Sequence, residues 1–505
     1  MSGQMLLGIQ TARNAKRRRE KVALIDNSGK TTYEELNSRS NQISHALSAL
    51  GIKQGHKVAF LASASRAWVE AYVGILKVGA IAVPLNYRET PDQLDMMLKD
   101  SDSQLLFTSE HHRASCDSII RTLTIPVIHL ESLSDFCQSH SHESLNLNVR
   151  PEDAAVMLYT GGTTGRSKGV LLSHENLFWN SLNEIIDTGM LETDNTLIAT
   201  PLHHSAALNC WLMPHLYLGA TVTILDKYDT GEVINAIVRE KVTNTFMPPS
   251  LAREFILHPA SATSDLTSFK RWYVGSGILT LADREAMKRC IPGVEIIYQY
   301  GLTEASPIAT VLKDAEYATA PGSIGRSFIN VEIDVVDENG SSMPAGEVGE
   351  IVIRGPTVML GYHNRPEATA EVIDSAGWLH TGDLAHKDAN GYLYFYDRLK
   401  DMIKTGGLNV YSQEVESVLS RHPHVREVAI IGLYNDRWGE EVTAIIVLHP
   451  GRECSADELT LYARETLASY QLPKRIEFIG YEEMPFNHNG KIMKRELRQR
   501  FEATR

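Results

Sequence analysis

The stretch Leu158-Tyr-Thr-Gly-Gly-Thr-Thr-Gly-Arg-Ser-Lys-Gly169 concentrates groups suited to holding an anion. Its glycines let backbone N–H groups approach a ligand closely, and its hydroxyls supply further donors. The apolar Ala154–Leu158 run before it reads as a buried strand, so the loop leaves a strand end. Phosphate loops of α/β proteins sit at such ends. A Walker loop needs Gly-Lys-Ser/Thr, whereas here Ser167 precedes Lys168 and Gly169 follows it. The competing reading is a glycine-rich surface loop, but flexible linkers rarely carry this Thr and Lys content. Three further strand ends carry small or polar motifs: Asn244–Met247 ends at Pro248-Pro249, Arg271–Val274 at Gly275-Ser-Gly277, and Glu295–Gln299 at Tyr300-Gly-Leu-Thr-Glu304. In open α/β sheets such ends line the ligand crevice.

The elements that would hold these ends alternate. Strands are expected at Val22–Asp26, Val58–Leu61, Ile81–Pro84, Leu105–Thr108 and Val127–Leu130, with helices over Thr31–Leu50 and Ala64–Gly79. Thr31 or Thr32 can cap the first helix, Glu34 and Glu35 fall in its first turn, and Gly51 stops it. After the loop, Ser173–Asp187 reads as a helix, and strands and helices alternate again to Gln299. This pattern predicts α/β architecture with mostly parallel, doubly wound sheets. Near residue 320 the style changes to short strands (Glu332–Asp337, Gly349–Arg354, Gly391–Tyr396) joined by Asn-Gly and Pro-x-Gly turns, which predicts a small β-barrel-like antiparallel unit. A second change at Asp397-Arg-Leu-Lys400 precedes about 100 residues that read as a separate, small α+β domain.

Length and composition bound the function. The 505 residues suffice for two to four structural units, and a net charge of −13 argues against generic nucleic-acid binding. The five cysteines are scattered and form no Cys-x-x-Cys pair, so neither a disulfide framework nor a zinc site is expected, and a reducing cytoplasm fits. No run of 18 apolar residues predicts a membrane span. Lys16-Arg-Arg-Arg19 reads as a solvated helix face, with attraction to a membrane surface as the alternative. Ser139-His-Ser-His142 reads as a solvated loop before a metal site.

Five motifs occur in order: Thr160–Gly169, Tyr300-Gly-Leu-Thr-Glu304, Trp378-Leu-His-Thr-Gly-Asp383, Asp397-Arg-Leu-Lys-Asp401 followed by Gly406-Gly407, and Asn489-Gly-Lys491. Together they resemble the adenylate-forming superfamily of acyl- and aryl-CoA synthetases, peptide-synthetase adenylation domains and luciferases. The resemblance covers nearly the whole chain. It implies a large AMP-binding domain over residues 1–397 and a mobile lid over 398–505. It implies an acid–thiol ligase that turns a carboxylic acid and ATP into acyl-AMP and pyrophosphate, then passes the acyl group to CoA. Positioning and charge stabilisation dominate such phosphoryl chemistry.

Carried over residue by residue, Thr160, Gly161, Gly162, Thr163, Thr164, Gly165 and Lys168 would cradle the phosphates. Gly161 and Ser167 depart from the family's frequent Ser and Pro, which implies a slightly looser loop. Tyr300 and Gly301 would lie at the adenine, bordered by Gly275, Ser276 and Gly277; Thr303 would bond the α-phosphate and Glu304 would contact Mg²⁺. Asp383 and Arg398 would hold the ribose, with a structural ion pair as the competing role. Lys400 stands at the family's hinge, and Gly406 and Gly407 would face the pantetheine arm after the lid rotates. Lys491 would bridge the substrate carboxylate and the α-phosphate in the first half-reaction; its plain alternative is one more solvated cation.

The acid itself would pass His204, Ala207, Trp211 and Met247. Amino-acid-activating relatives place an Asp where His204 stands, which argues against an α-amino acid. Alanines at 206 and 207 leave room for an apolar tail, so a fatty acid ranks first and an aryl acid second. His204 either gates this tunnel or is a structural histidine. A carrier-protein phosphopantetheine as acceptor, a silent acyl-binding relative and a homodimer all stay open.

Overall fold

The computed structural model describes residues 5–112, 124–160, 167–486 and 492–502. It divides into two compact units, residues 1–333 with 352–380, and residues 334–351 with 381–505. Among the described residues, no helix is long and apolar enough to cross a membrane.

The first unit is α/β, built on two open sheets. The nine-stranded sheet runs Arg326–Ser327, Ile308–Leu312, Glu295–Gly301, Arg271–Gly275, Asn244–Met247, Asn195–Ile198, Thr221–Ile224, Val22–Asp26, Gly29–Thr32. Its interior pairs are parallel, while antiparallel strands close both edges. The seven-stranded sheet runs Gly361–Tyr362, Lys168–Ser173, Ala154–Thr160, Ile81–Pro84, Lys57–Leu61, Ser103–Thr108, Val127–His129. Parallel strands are covered by helices on both faces, so they read as continuous apolar runs. Ile81–Pro84 and Asn244–Met247 are accordingly buried at every position.

Local chemistry sets the helix ends. Thr32 and Glu35 form a capping box on Tyr33–Ala49, and Gly51 follows its end at φ +84°. Ser173 and Asn176 do the same for His174–Thr188, which stops at Gly189 in the left-handed region. The packed centre of the large sheet is aromatic: Trp272 lies between Phe255 and Phe269, ring centroids 5.0 and 5.5 Å away, and all three are buried.

Glu332–Val336, Val348–Arg354, Leu379–Lys387 and Leu393–Arg398 form an open four-stranded sheet, most of whose residues belong to the second unit. The barrel-like closure expected from the turns does not occur. Four strands are too few to curl round and meet. The other sheet centres on the antiparallel pair Val425–Asn435 and Gly439–Leu448. Its strands alternate faces with the two-residue period of β structure. Val428, Ile430, Val442, Ala444 and Ile446 pack beneath Val415 and Leu459 of two helices. Ala429, Ile431, Leu433, Ile445 and Val447 face Leu497 and Phe501 of the last helix.

Candidate active site

Thr160 and Lys168, which flank the phosphate-loop candidate, are cross-strand partners on two antiparallel strands. The next helix begins only at His174. Among the described residues, Thr160 and Lys168 on the candidate's two flanks are strand residues, not the first turn of a helix. Gly161, Gly162, Thr163, Thr164 and Gly165 lie outside the described residues.

Lys168 opens a chain of contacts that the sequence did not reveal. Its Nζ sits 4.7 Å from the centroid of the Tyr362 ring. The Tyr362 hydroxyl donates to Glu304 Oε1 at 2.9 Å. Burial and the adjacent Glu304 carboxylate push the Tyr362 phenol well above its ordinary value, so it stays a donor. Tyr362 thus links the lysine to the carboxylate expected to meet the metal. It reaches Glu304 because the short strand Gly361–Tyr362 pairs with Lys168–Ser173. Nothing local marks it, since 58 residues separate it from Glu304.

The Tyr300–Glu304 turn is held from several sides. A Cβ on Gly301 would stand 1.9 Å from the Pro307 carbonyl oxygen, so only glycine fits. Leu302 N–H donates to that carbonyl at 2.8 Å. Thr303 opens a 3₁₀ turn, and its hydroxyl lies 3.0 Å from that of Ser205, a second contact missed from sequence. Met359 N–H donates to the Glu304 carbonyl at 2.9 Å. Tyr300, half-buried, pairs across strands with Thr310. Gly275, Ser276 and Gly277 end the neighbouring strand: a Cβ on Gly275 would meet the Gln299 carbonyl oxygen at 2.7 Å, Ser276 has φ +62°, and Tyr298 donates to the Gly277 carbonyl at 2.8 Å. The expected adenine border is thus the exposed end of two parallel strands.

The acyl-side residues form an aromatic layer. Ala207 and Trp211 are buried on the seven-residue π-helix Ala206–Leu212. Such wide turns are rare and frequent at functional sites. Trp211 stacks on Phe246 at 4.4 Å and meets Tyr273 edge-on at 5.7 Å; buried Met247 follows Phe246. His204 is half-buried before the π-helix, its ring 4.3 Å from that of His203. Beneath this layer lies a buried carboxyl absent from the sequence reasoning. Glu184 accepts from Gln299 Nε2 at 2.8 Å, and burial pushes it up to about 8.

In the second unit, Asp383 and Arg398 are cross-strand partners, with Arg398 Nε 3.5 Å from Asp383 Oδ1. Asp383 is 8% exposed, and Thr381 Oγ1 accepts from its N–H at 3.1 Å. Burial first, then Arg398, pulls the Lys400 ammonium below its ordinary value. Asp397, just before Arg398, accepts from the N–H groups of Arg398 and Ser412. Gly406 and Gly407 form the two-residue turn between Ile403–Thr405 and Leu408–Val410, with φ +58° and +81°. Such a hairpin turn demands positive φ at both positions. A Cβ on Gly406 would also sit 2.9 Å from the Trp438 ring. Lys491 lies outside the described residues.

Comparison with known proteins fits this geometry. The AMP-binding enzyme family model matches residues 11–363, and the model of the AMP-binding enzyme C-terminal domain matches 414–491. A feruloyl-CoA synthase of Amycolatopsis is 38% identical over 93% of this chain and 94% of its own. A long-chain-fatty-acid–CoA ligase of Mycobacterium tuberculosis is 33% identical over 94% and 93%. The crystal structure of ATP-bound MatB from Rhodopseudomonas palustris superposes with a TM-score of 0.91 over the full length of both chains, at 27% identity. The chain belongs to the adenylate-forming family of AMP-binding enzymes.

Proposed function

We propose that the protein is an AMP-forming acid–CoA ligase that takes an aryl acid. The observation that supports the ligase assignment is the Lys168–Tyr362–Glu304 chain beside Thr303, in which a cation, an aromatic hydroxyl and a carboxylate from two sheets meet. In the first half-reaction a carboxylate oxygen attacks the α-phosphorus of ATP and pyrophosphate leaves. Lys168 and the loop Thr160–Gly165 hold the β- and γ-phosphates. Thr303, oriented by Ser205, donates to the α-phosphate. Lys491 meets the charge that builds between carboxylate and phosphorus. In the second half the CoA thiol displaces AMP from the anhydride. Asp383 and Arg398 hold the ribose, Lys400 serves as hinge for a lid over 398–505, and Gly406 and Gly407 lie along the pantetheine arm.

Mg²⁺ fits the donor set. Glu304 offers a carboxylate whose Oε1 is already oriented by Tyr362, and a hard cation takes carboxylate and phosphate oxygens together. Glu304 would hold it, and when bound it neutralises phosphate charge.

For the acid, support for an aryl group comes from the Trp211–Phe246–Tyr273 layer and from the feruloyl-CoA synthase similarity. Flat rings gain from offset or edge contacts beyond their buried area. A fatty acid is the second reading, favoured by Ala206 and Ala207 and by the Mycobacterium relative. Pyrophosphate release across a panel of hydroxycinnamates, benzoates and fatty acids tests this. The expected result is the highest kcat/KM for an aryl acid, with a free CoA thioester formed. A preference for medium or long alkanoates overturns the aryl assignment, and acylation of a carrier protein but not CoA overturns the acceptor.

A further inference from the structure

The C-terminal unit gathers His422, His424 and Cys454, one ligand-capable atom of each lying within 4.8 Å of the others. They come from two loops. The histidines sit between the helix Ser412–Leu419 and the strand Val425–Asn435, and Cys454 stands ahead of the helix Ala456–Arg464. His449 N–H donates to the His424 carbonyl at 2.9 Å, and Arg452 N–H to the His449 carbonyl at 3.0 Å, which folds the second loop onto the first. Ser455 caps the following helix by accepting from Glu458 N–H at 3.1 Å, fixing Cys454 just outside the first turn.

The ring orientations suit a metal. His422, 7% exposed, accepts the His424 N–H on Nδ1 at 3.3 Å, and Tyr462 meets its ring edge-on at 4.9 Å. That leaves Nε2, which lies 3.9 Å from Glu458 Oε1. His424 Nδ1 is buried with no hydrogen-bond partner. A buried nitrogen in that state is costly unless something else fills its lone pair. None of these residues takes part in the adenylation machinery described above.

We propose that His422, His424 and Cys454 bind a zinc ion that clips the two loops together, with Glu458 or a water as fourth ligand. Two imidazoles and a thiolate match zinc's preferred donors, whereas Mg²⁺ and Ca²⁺ take oxygen. Metal–ligand bonds of about 2.0–2.3 Å place tetrahedral ligands roughly 3.5 Å apart, so side-chain rotation of about an ångström closes the site. The fold assembles donors that the sequence separates by about 30 residues. A set with one cysteine needs no Cys-x-x-Cys pair, since imidazoles supply the other donors.

The full-length chain, stripped with a chelator and dialysed against Zn²⁺, should retain one zinc per chain by elemental analysis. Replacement by Co²⁺ should give tetrahedral visible bands and a thiolate-to-cobalt charge-transfer band. Cys454→Ser should lose the charge-transfer band, and His424→Asn should weaken zinc binding at least tenfold. Both apo variants should melt like the apo parent but gain nothing from zinc. Absence of stoichiometric zinc, or undiminished zinc in both variants, overturns the proposal. A measurement on the unaltered protein keeps the test independent of variant folding: zinc should protect the Cys454 peptide from alkylation, read by mass spectrometry, and equal alkylation with and without zinc refutes the site.

Discussion

Tyr362→Phe isolates one hydrogen bond. The substitution removes the hydroxyl that donates to Glu304 Oε1 at 2.9 Å but keeps the ring 4.7 Å from Lys168 Nζ. A hydrogen bond to a carboxylate contributes about 1.5–3 kcal/mol. Tyr362 is only half-buried, so the lower end applies, and about 1.4 kcal/mol is tenfold in rate. The expected loss is therefore about tenfold in kcat/KM for acid-dependent ATP–pyrophosphate exchange, with a raised Mg²⁺ requirement because Glu304 is less well oriented. Thermal stability should fall by about 1.5 kcal/mol at most, since solvent can reach the half-buried pair and replace part of the lost bond. Tyr362→Ala also removes the cation–π contact, worth about 0.5–1 kcal/mol, and should lose a further two- to fivefold. If Tyr362→Phe matches the parent within about twofold at both limiting and saturating Mg²⁺, Tyr362 does not orient the carboxylate.

Lys491→Ala should cut the exchange reaction by about 10²–10³, the usual size for losing one transition-state donor, while sparing thioester formation from a supplied acyl-adenylate; equal loss of both halves would contradict a rotating lid. Gly301→Ala puts a Cβ 1.9 Å from the Pro307 carbonyl oxygen, so it should destabilise by about 1–3 kcal/mol in urea melts and lose adenylation activity. Glu184 is held up at about 8 from an ordinary 4.5 by burial. Between those values the folded protein keeps a proton that the unfolded chain releases, so stability falls as pH rises through that window. Glu184→Gln cannot release one; its advantage over the parent should grow from near nothing below about pH 4.5 to a few kcal/mol near pH 8. Parallel melting curves for the two proteins across pH would show that Glu184 is not buried protonated.

The positions of strands and helices were legible where local chemistry decides them. Thr32 with Glu35, and Gly51 after the helix, announce Tyr33–Ala49 without tertiary help. The apolar runs in Val425–Asn435 and Gly439–Leu448 mark strands, but being buried throughout they do not say which side chain meets which helix. What stayed hidden depends on distant pairing. Ala154–Thr160 and Lys168–Ser173 pair antiparallel, yet Val170-Leu-Leu172 reads the same in a parallel or an antiparallel strand. The edge strand Gly361–Tyr362 is two residues long, too short for any pattern, and it alone carries Tyr362 to Glu304. The π-helix Ala206–Leu212 is a buried, apolar run whose residues carry no mark of the wider turn. Glu184 gave no hint of burial, since one carboxylate on an amphipathic helix ordinarily faces water. Whether a sheet closes is not legible for a related reason: turns fix strand reversals, not the number of strands that must meet.

The most direct test follows an oxygen atom. A carboxylic acid labelled with heavy oxygen in its carboxylate is turned over with ATP, Mg²⁺ and CoA, and the products are separated for mass spectrometry. Attack on the α-phosphorus predicts one labelled oxygen in AMP and none in pyrophosphate, with the CoA thioester formed in equal amount. Label in inorganic phosphate with ADP as the nucleotide product, or unlabelled AMP, would contradict the acyl-adenylate at the centre of the account.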